Sequence, residues 1–330
     1  MRTLVDKNGE ILFIYDATMC NPNGDPDDEN KPRMDLEKER NLVSDVRLKR
    51  YIRDYLYDYF QAKGEDQTIY VTKAEGVVQA EDRIKKVLGR DSEDSVSSAD
   101  LPILLTKLID VRLFGATMPI KGERKGEGEG ITLTGPVQFN WGYSLNRVQL
   151  VESNTISSQF SSRQQAGQGT FGKDYRLYYS LIAFHGIISA RRAREMYKKA
   201  GENPLGATTY EDLELLDQAM LKAIPLLATR SKIGQYPRLY VRFEYTDDET
   251  FIGDLRQYLR LSEEEGLRSI QDVKLEIGGI TRYLEGMKEK INRVFVWQDV
   301  DLMTLVNGEE QTFSEMLENI LGSSKVISLV

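Results

Sequence analysis

The stretch ILFIYDATMCNPNGDP, residues 11–26, decides how the rest of the chain is read. Its first half is dominated by apolar, β-branched and aromatic side chains, the composition of a buried strand. Its second half continues as NPNGDPDD, where Asn, Pro, Gly and Asp close the strand in a turn. A buried opening strand needs partner strands and a covering layer, and these are sought downstream.

Residues 36–63 contain no Gly or Pro before Gly64, and Leu42, Val46, Ile52, Leu56 and Phe60 fall on one stripe. That spacing predicts one long helix. Arg40, Arg47 and Arg50 lie on another face, either as a solvated row or as a row that contacts phosphate. Residues 64–130 read as an insertion of mixed structure, with a helix over 102–111 and the low-complexity loop KGERKGEGEG at 121–130. ITLTGPVQFNWGYSL, 131–145, and YRLYYSLIAFHGII, 175–188, read as strands. Between them, residues 147–174 are rich in Gln, Gly and Ser and poor in large apolar side chains, so this piece projects as a loop or hairpin. Helices over 190–199 and 210–229 follow, then the strand RLYVRFEY, 238–245. The tail, 247–330, adds helices and a strand near 294–300. The order strand, helix, strand, strand, helix, strand predicts an α+β fold, a ferredoxin-like or RRM-like sheet with helices on one face, in a single domain over 1–330.

The chain has 330 residues, 40% of them hydrophobic, enough for a sizeable core. One cysteine, Cys20, forms no internal disulfide and no cysteine zinc cluster. Residues 1–10 lack the apolar run of a signal peptide, and no stretch of about 18 apolar residues suggests a membrane span. The expected compartment is the cytoplasm. The net charge of −8 argues against attraction of the whole molecule to nucleic acid. Its distribution is uneven: residues 146–199 hold nine Lys/Arg against three Asp/Glu, and residues 247–330 hold nine against seventeen. That polarity suits a chain that binds a polyanion with one face, and it also suits two ordinary solvated surfaces.

Enzymatic constellations are thin. GQGTFG, 167–172, matches G-x-G-x-x-G, but a polar segment precedes it and a strand follows, the reverse of a nucleotide-binding turn. Asp174 stands where a phosphate-binding P-loop needs Ser or Thr. Asp25, Asp27, Asp28 and Glu29 crowd one loop, either as a solvated turn or as ligands for a hard cation. The sole histidine, His185, lies in a predicted strand, where packing beside the sheet accounts for it. No cofactor is expected. For RNA the useful groups are Arg163, Lys173, Arg176, Phe160 and Phe171, in or beside the projecting loop, because single strands are held through phosphates and by stacking. The RRM signature motif is missing from both central strands.

ILFIYDAT running into NPNGDP resembles the N-terminal signature of the seventh CRISPR-associated family, the backbone subunit of Cascade, in its type I-B (Csh-type) branch. The resemblance continues through DVRLFGAT at 110–117, ITLTGPVQFNWGYSL at 131–145, GTFGKDYRLYYSLIAFHGII at 169–188 and TRSKIGQYPRLYVRFEY at 229–245. It implies a modified RRM palm whose copies polymerise along a CRISPR guide RNA. A thumb-like hairpin, here 147–174, would kink the guide and leave the intervening nucleotides to pair with target DNA. It further implies that Asn21, Asn23 and Gly24 approach the RNA backbone and that Arg47 and Arg50 bind phosphate. Arg230, Ser231 and Lys232 would do so before the last palm strand. The implied partners are guide RNA, target DNA through the guide, other copies of the chain and the other Cascade subunits. The implied role is non-catalytic. The related type III subunits suggest the alternative, a metal-dependent endoribonuclease using Asp25, Asp27 or Asp28. The resemblance assigns no role to KGERKGEGEG or to the tail.

Overall fold

The computed structural model describes residues 2–73, 76, 79–120, 130–153, 155–158, 170–227 and 229–330. Its centre is the predicted opening strand, β1 (Gly9–Cys20). The next predicted element divides. Residues 36–63 were expected as one helix, but Arg40–Val43 form a strand, β2, and only Asp45–Lys63 are helical, as α1. The physical reason is a cap: Ser44 is extended, and its side chain accepts the Arg47 amide. Ahead of it, Asn41 is buried in a polar network, its amide donating to Ser144 Oγ at 3.0 Å and its Nδ2 to the Arg33 carbonyl at 2.9 Å.

The 131–145 region also divides. Ile131–Thr134 pairs with Gly115–Met118 in a separate two-stranded ladder, while Val137–Phe139 (β3) and Gly142–Ser144 (β4) join the main sheet. Then come β5 (Leu177–Ile188), α2 (Ala190–Lys199), α3 (Tyr210–Leu226) and β6 (Gln235–Tyr245). The tail contributes β7 (Ile291–Gln298) and β8 (Val326–Ser328). The sheet runs β8-β7-β6-β1-β5-β4-β2 and ends on Met34–Asp35, with β3 alongside β5. β1 is antiparallel to both of its neighbours, Phe13 lying between Phe184 and Tyr240.

Both faces of this sheet are covered. Ile11, Phe13 and Tyr15 pack with Leu48, Ile52 and Leu56 of α1 and with Leu213, Leu216 and Met220 of α3. Leu12 and Ile14, pointing the other way, pack with Leu239, Val241 and Phe243 of β6 and with Leu255, Leu275, Phe313 and Leu317 from the tail. The expectation of helices on one face therefore describes α1 and α3, and the tail supplies the second layer. A continuous apolar run such as ILFIY suits a strand buried on both sides, where alternation would mark one wet face.

The 64–130 insertion has a core of its own, centred on Ile84, Leu101, Leu104, Leu105 and Val111. Its helix is two helices, Leu101–Lys107 and Ile109–Phe114, broken at Leu108. Two buried ion pairs attach it: Arg53 of α1 to Asp110 at 2.9 Å and Arg112 to Asp212 of α3 at 2.9 Å. Among the described residues no helix is long and apolar enough to cross a membrane.

Candidate nucleic-acid interface

The C-terminal end of β1 is held to the segment before β6 by two backbone bonds, Thr18 N–H to the Gly234 carbonyl at 2.8 Å and Asn21 N–H to the Ser231 carbonyl at 2.9 Å. Gly234 has a φ of +97°, and a Cβ there would lie 2.4 Å from the Thr18 carbonyl oxygen, so only glycine allows this approach. The NPNG turn then folds over the start of α1. Asn23 Oδ1 accepts from Ser44 N and Ser44 Oγ, each at 2.9 Å. Asn21 is buried and donates from Nδ2 to the Asn30 carbonyl at 2.8 Å. Gly24 lies so close to Asn30 that a Cβ would meet its Oδ1 at 2.0 Å.

Cations converge on this frame. Arg47, in the first turn of α1, lies over the Tyr51 ring with its guanidinium carbon 4.1 Å from the centroid, and its Nε and Nη2 are buried without hydrogen-bond partners. Lys232 Nζ donates to the Asn21 carbonyl and, at 3.3 Å, to the Pro22 carbonyl. Burial, and after it the charge of Arg47, brings the Lys232 ammonium down to about 8. Among the described residues neither Arg47 nor Lys232 pairs with a carboxylate. An uncompensated, partly desolvated pair of cations is an anion-binding arrangement.

The neighbouring cations are compensated. Asp174 accepts from Arg176 at 2.9 Å and from Arg230 at 3.0 Å, and Arg176 also reaches the Met19 carbonyl at 2.6 Å. Lys173 pairs with Glu29 at 2.6 Å, and the Tyr175 hydroxyl donates to the same carboxylate, so these contacts hold Glu29 below the usual carboxylate range. Arg50 does not join the cluster, because it turns to Asp54, with Nε 2.9 Å from Oδ2. Phe171 belongs to the strand Thr170–Lys173, which pairs with Thr155–Ser158. Phe160 and Arg163 lie outside the described residues. Of the loop acids, Asp25 is held by Arg33 at 3.2 Å and Asp28 by Lys31 at 2.6 Å.

Sequence reading missed Tyr51, the ring beneath Arg47, and Gln235, which accepts from the Tyr51 hydroxyl at 3.2 Å and donates to the Lys232 carbonyl at 2.7 Å. The signal for Tyr51 was its position four residues after Arg47, one turn along the same helix face. His185 is buried in β5 with Nε2 3.6 Å from Glu10, and burial depresses its pKa. Among the described residues no group of three or more His, Cys, Asp or Glu is placed to hold a metal ion.

A family model described as CRISPR-associated protein Cas7 matches residues 7–278. A CRISPR-associated protein Cas7 of Haloferax volcanii is 35% identical over 309 residues, covering 88% of this chain and 86% of that protein. In fold, the chain is similar to one from a CRISPR RNA-guided surveillance complex, pre-nicking, with a TM-score of 0.51 at 13% identity, covering 96% of this chain and 100% of that one.

Proposed function

Because the chain belongs to the CRISPR-associated Cas7 family, we propose that it is a non-catalytic, guide-RNA-binding backbone subunit of a cytoplasmic CRISPR surveillance complex of the type I-B branch. Copies pack side by side along the guide, with the other subunits at the ends and flanks, and the exposed bases pair with target DNA. The carrying observation is the Arg47–Lys232 pair, two cations at the end of β1 without a carboxylate among the described residues. A backbone phosphate supplies the missing charge without reading sequence, as a subunit that accepts any spacer requires.

The finer architecture follows the same reading. The strand order β6-β1-β5-β4, with α1 and α3 on one face, supports an RRM-like palm within a single domain. Residues 147–174 serve as the thumb, 64–130 as an insertion and 247–330 as an extension that backs the palm. Asn21, Asn23 and Gly24 shape the floor of the phosphate site through the contacts described above. Arg176, Ser231 and Arg230 line its rim, and the sequence reading assigns RNA contacts to Lys173, Phe171, Phe160 and Arg163 as well. Arg50 supports α1 through Asp54. Of Asp25, Asp27 and Asp28, one of which a metal-dependent endoribonuclease would use, Asp25 and Asp28 are each engaged by a cation.

The test is binding of labelled CRISPR RNA by the purified chain across a salt series, with and without Mg²⁺. Intact RNA is expected in discrete complexes, with log affinity falling linearly against log salt. Arg47→Gln or Lys232→Met is expected to reduce that slope by about one each. An affinity that stays flat with salt removes the phosphate reading. Mg²⁺-dependent cuts abolished by Asp25→Ala would replace it with the nuclease.

A further inference from the structure

The same two cations have a further property, which follows from the groups around them among the described residues. Lys232 Nζ spends two donors on neutral carbonyls, those of Asn21 and Pro22. An ammonium carries three N–H groups, and a neutral amine carries two and a lone pair. The two carbonyls therefore accept both N–H groups of the neutral amine, and the third N–H exists only in the charged form. The titratable and charged groups facing Lys232 are few. Arg47 of α1 adds a like charge, and the Cys20 thiol of β1, pushed up to about 12 by burial, is neutral. Near Arg47, the Tyr15 and Tyr51 hydroxyls are held above their usual range by burial. Arg176 and Arg230 on the rim already share Asp174. Two adjacent, partly desolvated cations are relieved either by an arriving anion or by loss of one proton. Arg47 keeps its proton, so Lys232 is the group that yields.

We propose that the Arg47–Lys232 pair is a proton-coupled phosphate site, in which a phosphodiester entering beside the guanidinium is met by uptake of one solvent proton on Lys232 Nζ. The step is balanced: the amine lone pair forms an N–H bond to a proton given up by a buffer acid or hydronium, whose own N–H or O–H bond breaks and which keeps the electron pair, and the new N–H is available to the phosphate oxygen. The proposal rests on the RNA-binding reading above and adds the regulation of that site. In the free chain the amine is half protonated near pH 8 and fully protonated below about pH 7. With phosphate bound its pKa rises. Affinity is therefore flat at acidic and neutral pH and weakens as pH climbs past about 8, by a factor approaching tenfold per pH unit until the bound form also loses its proton.

The experiment titrates the full chain with a single-stranded 2′-O-methyl oligouridylate, in pairs of buffers that differ in ionisation enthalpy. At pH 8 the wild type is expected to take up about half a proton per binding event, and none at pH 6.5. Lys232→Arg is expected to bind at both pH values with no uptake, because its charge is fixed. Because the buffer comparison is made on the wild type, the result does not depend on a variant that folds. Binding with no uptake at pH 8, or uptake that persists in Lys232→Arg, overturns the coupling and leaves the RNA-binding reading intact. No binding at pH 6.5 overturns both.

Discussion

Asn23 shows how a single polar side chain sets the site. Its Oδ1 satisfies both the amide and the hydroxyl of Ser44, tying the NPNG turn to the cap of the helix that carries Arg47. Asn23→Ala is expected to cost about 1 kcal/mol in urea unfolding and to weaken RNA binding, and Asn23→Asp, which keeps the acceptor, should recover most of the stability. Asp16 carries a different signal. Burial raises its carboxyl to about 6 despite Arg238 at 3.0 Å. The folded chain therefore binds this proton more readily than the unfolded chain, and its contribution to stability grows as pH falls from about 6 toward 3.8. Denaturant midpoints of wild type and Asp16→Asn across pH 4–7 should diverge with that sign, and parallel curves would show that Asp16 stays ionised. At this scale the sequence was partly legible. Lys232 and Arg47 were both named from the sequence, but the lack of a counter-ion among the described residues is a fact of three-dimensional neighbourhood. Arg50, three residues from Arg47, looked equivalent, although Asp54, four residues on along the same helix, was the signal that it is neutralised.

At the scale of elements, α1 is where pattern reading went furthest and slipped. Ile52, Leu56 and Phe60 are buried as the stripe required, yet the helix starts nine residues later than the predicted start at 36. The competing signal was Ser44–Asp45, a cap residue followed by an acid in the first turn. Asn41 and Val43 are buried, with Arg40 and Leu42 less so, the period of two that marks a strand. Val46, assigned to the apolar stripe, is 65% exposed. In the proposed reading the cap matters because it fixes where Arg47 emerges. Ser44→Ala is expected to lower stability by about 1 kcal/mol, and Leu56→Ala, which empties a site in the central core, by about 2–5 kcal/mol. Both are read from denaturant midpoints. A Leu56→Ala cost below that of the cap would mean that α1 is less tightly packed on the sheet than its burial implies. The strands of residues 131–145 were legible as β-structure, but not their division between two sheets. Gly135–Pro136 marks that break in the sequence, and the Cβ of any residue at 135 would lie 2.3 Å from the Leu113 carbonyl oxygen.

For the whole molecule, the acidic tail reconciles a net charge of −8 with the polyanion ligand proposed above. Nothing in its composition announced a docking role. Its part became visible only because Leu12, Ile14, Leu239 and Val241 need a cover, and Leu255, Leu275, Phe313 and Leu317 supply it. The docking is anchored by Glu10, buried in β1, which accepts from the amides of Ile252 at 2.6 Å and Gly253 at 2.8 Å. The tail thus packs on one face of the sheet, while Tyr15 and Tyr51, beside the Arg47–Lys232 pair, belong to the core on the other. At about 0.1 M salt, exposed charges further apart than about 10 Å are largely screened from one another. Tail acids further than that from the pair would have little leverage on a phosphate bound there. Glu289→Gln, Glu309→Gln and Glu310→Gln combined, all exposed positions, are expected to leave the slope of log RNA affinity against log salt unchanged. Truncation after residue 246 is expected to do something else, exposing the second apolar face and sending the chain into aggregates on expression. If the triple variant steepened the slope, the tail would lie within reach of the bound RNA. If the truncated chain stayed soluble and melted cooperatively, β1 would not depend on its second layer. The first result would make the tail's charge a regulator of guide binding, and the second would reduce it to an accessory of the palm.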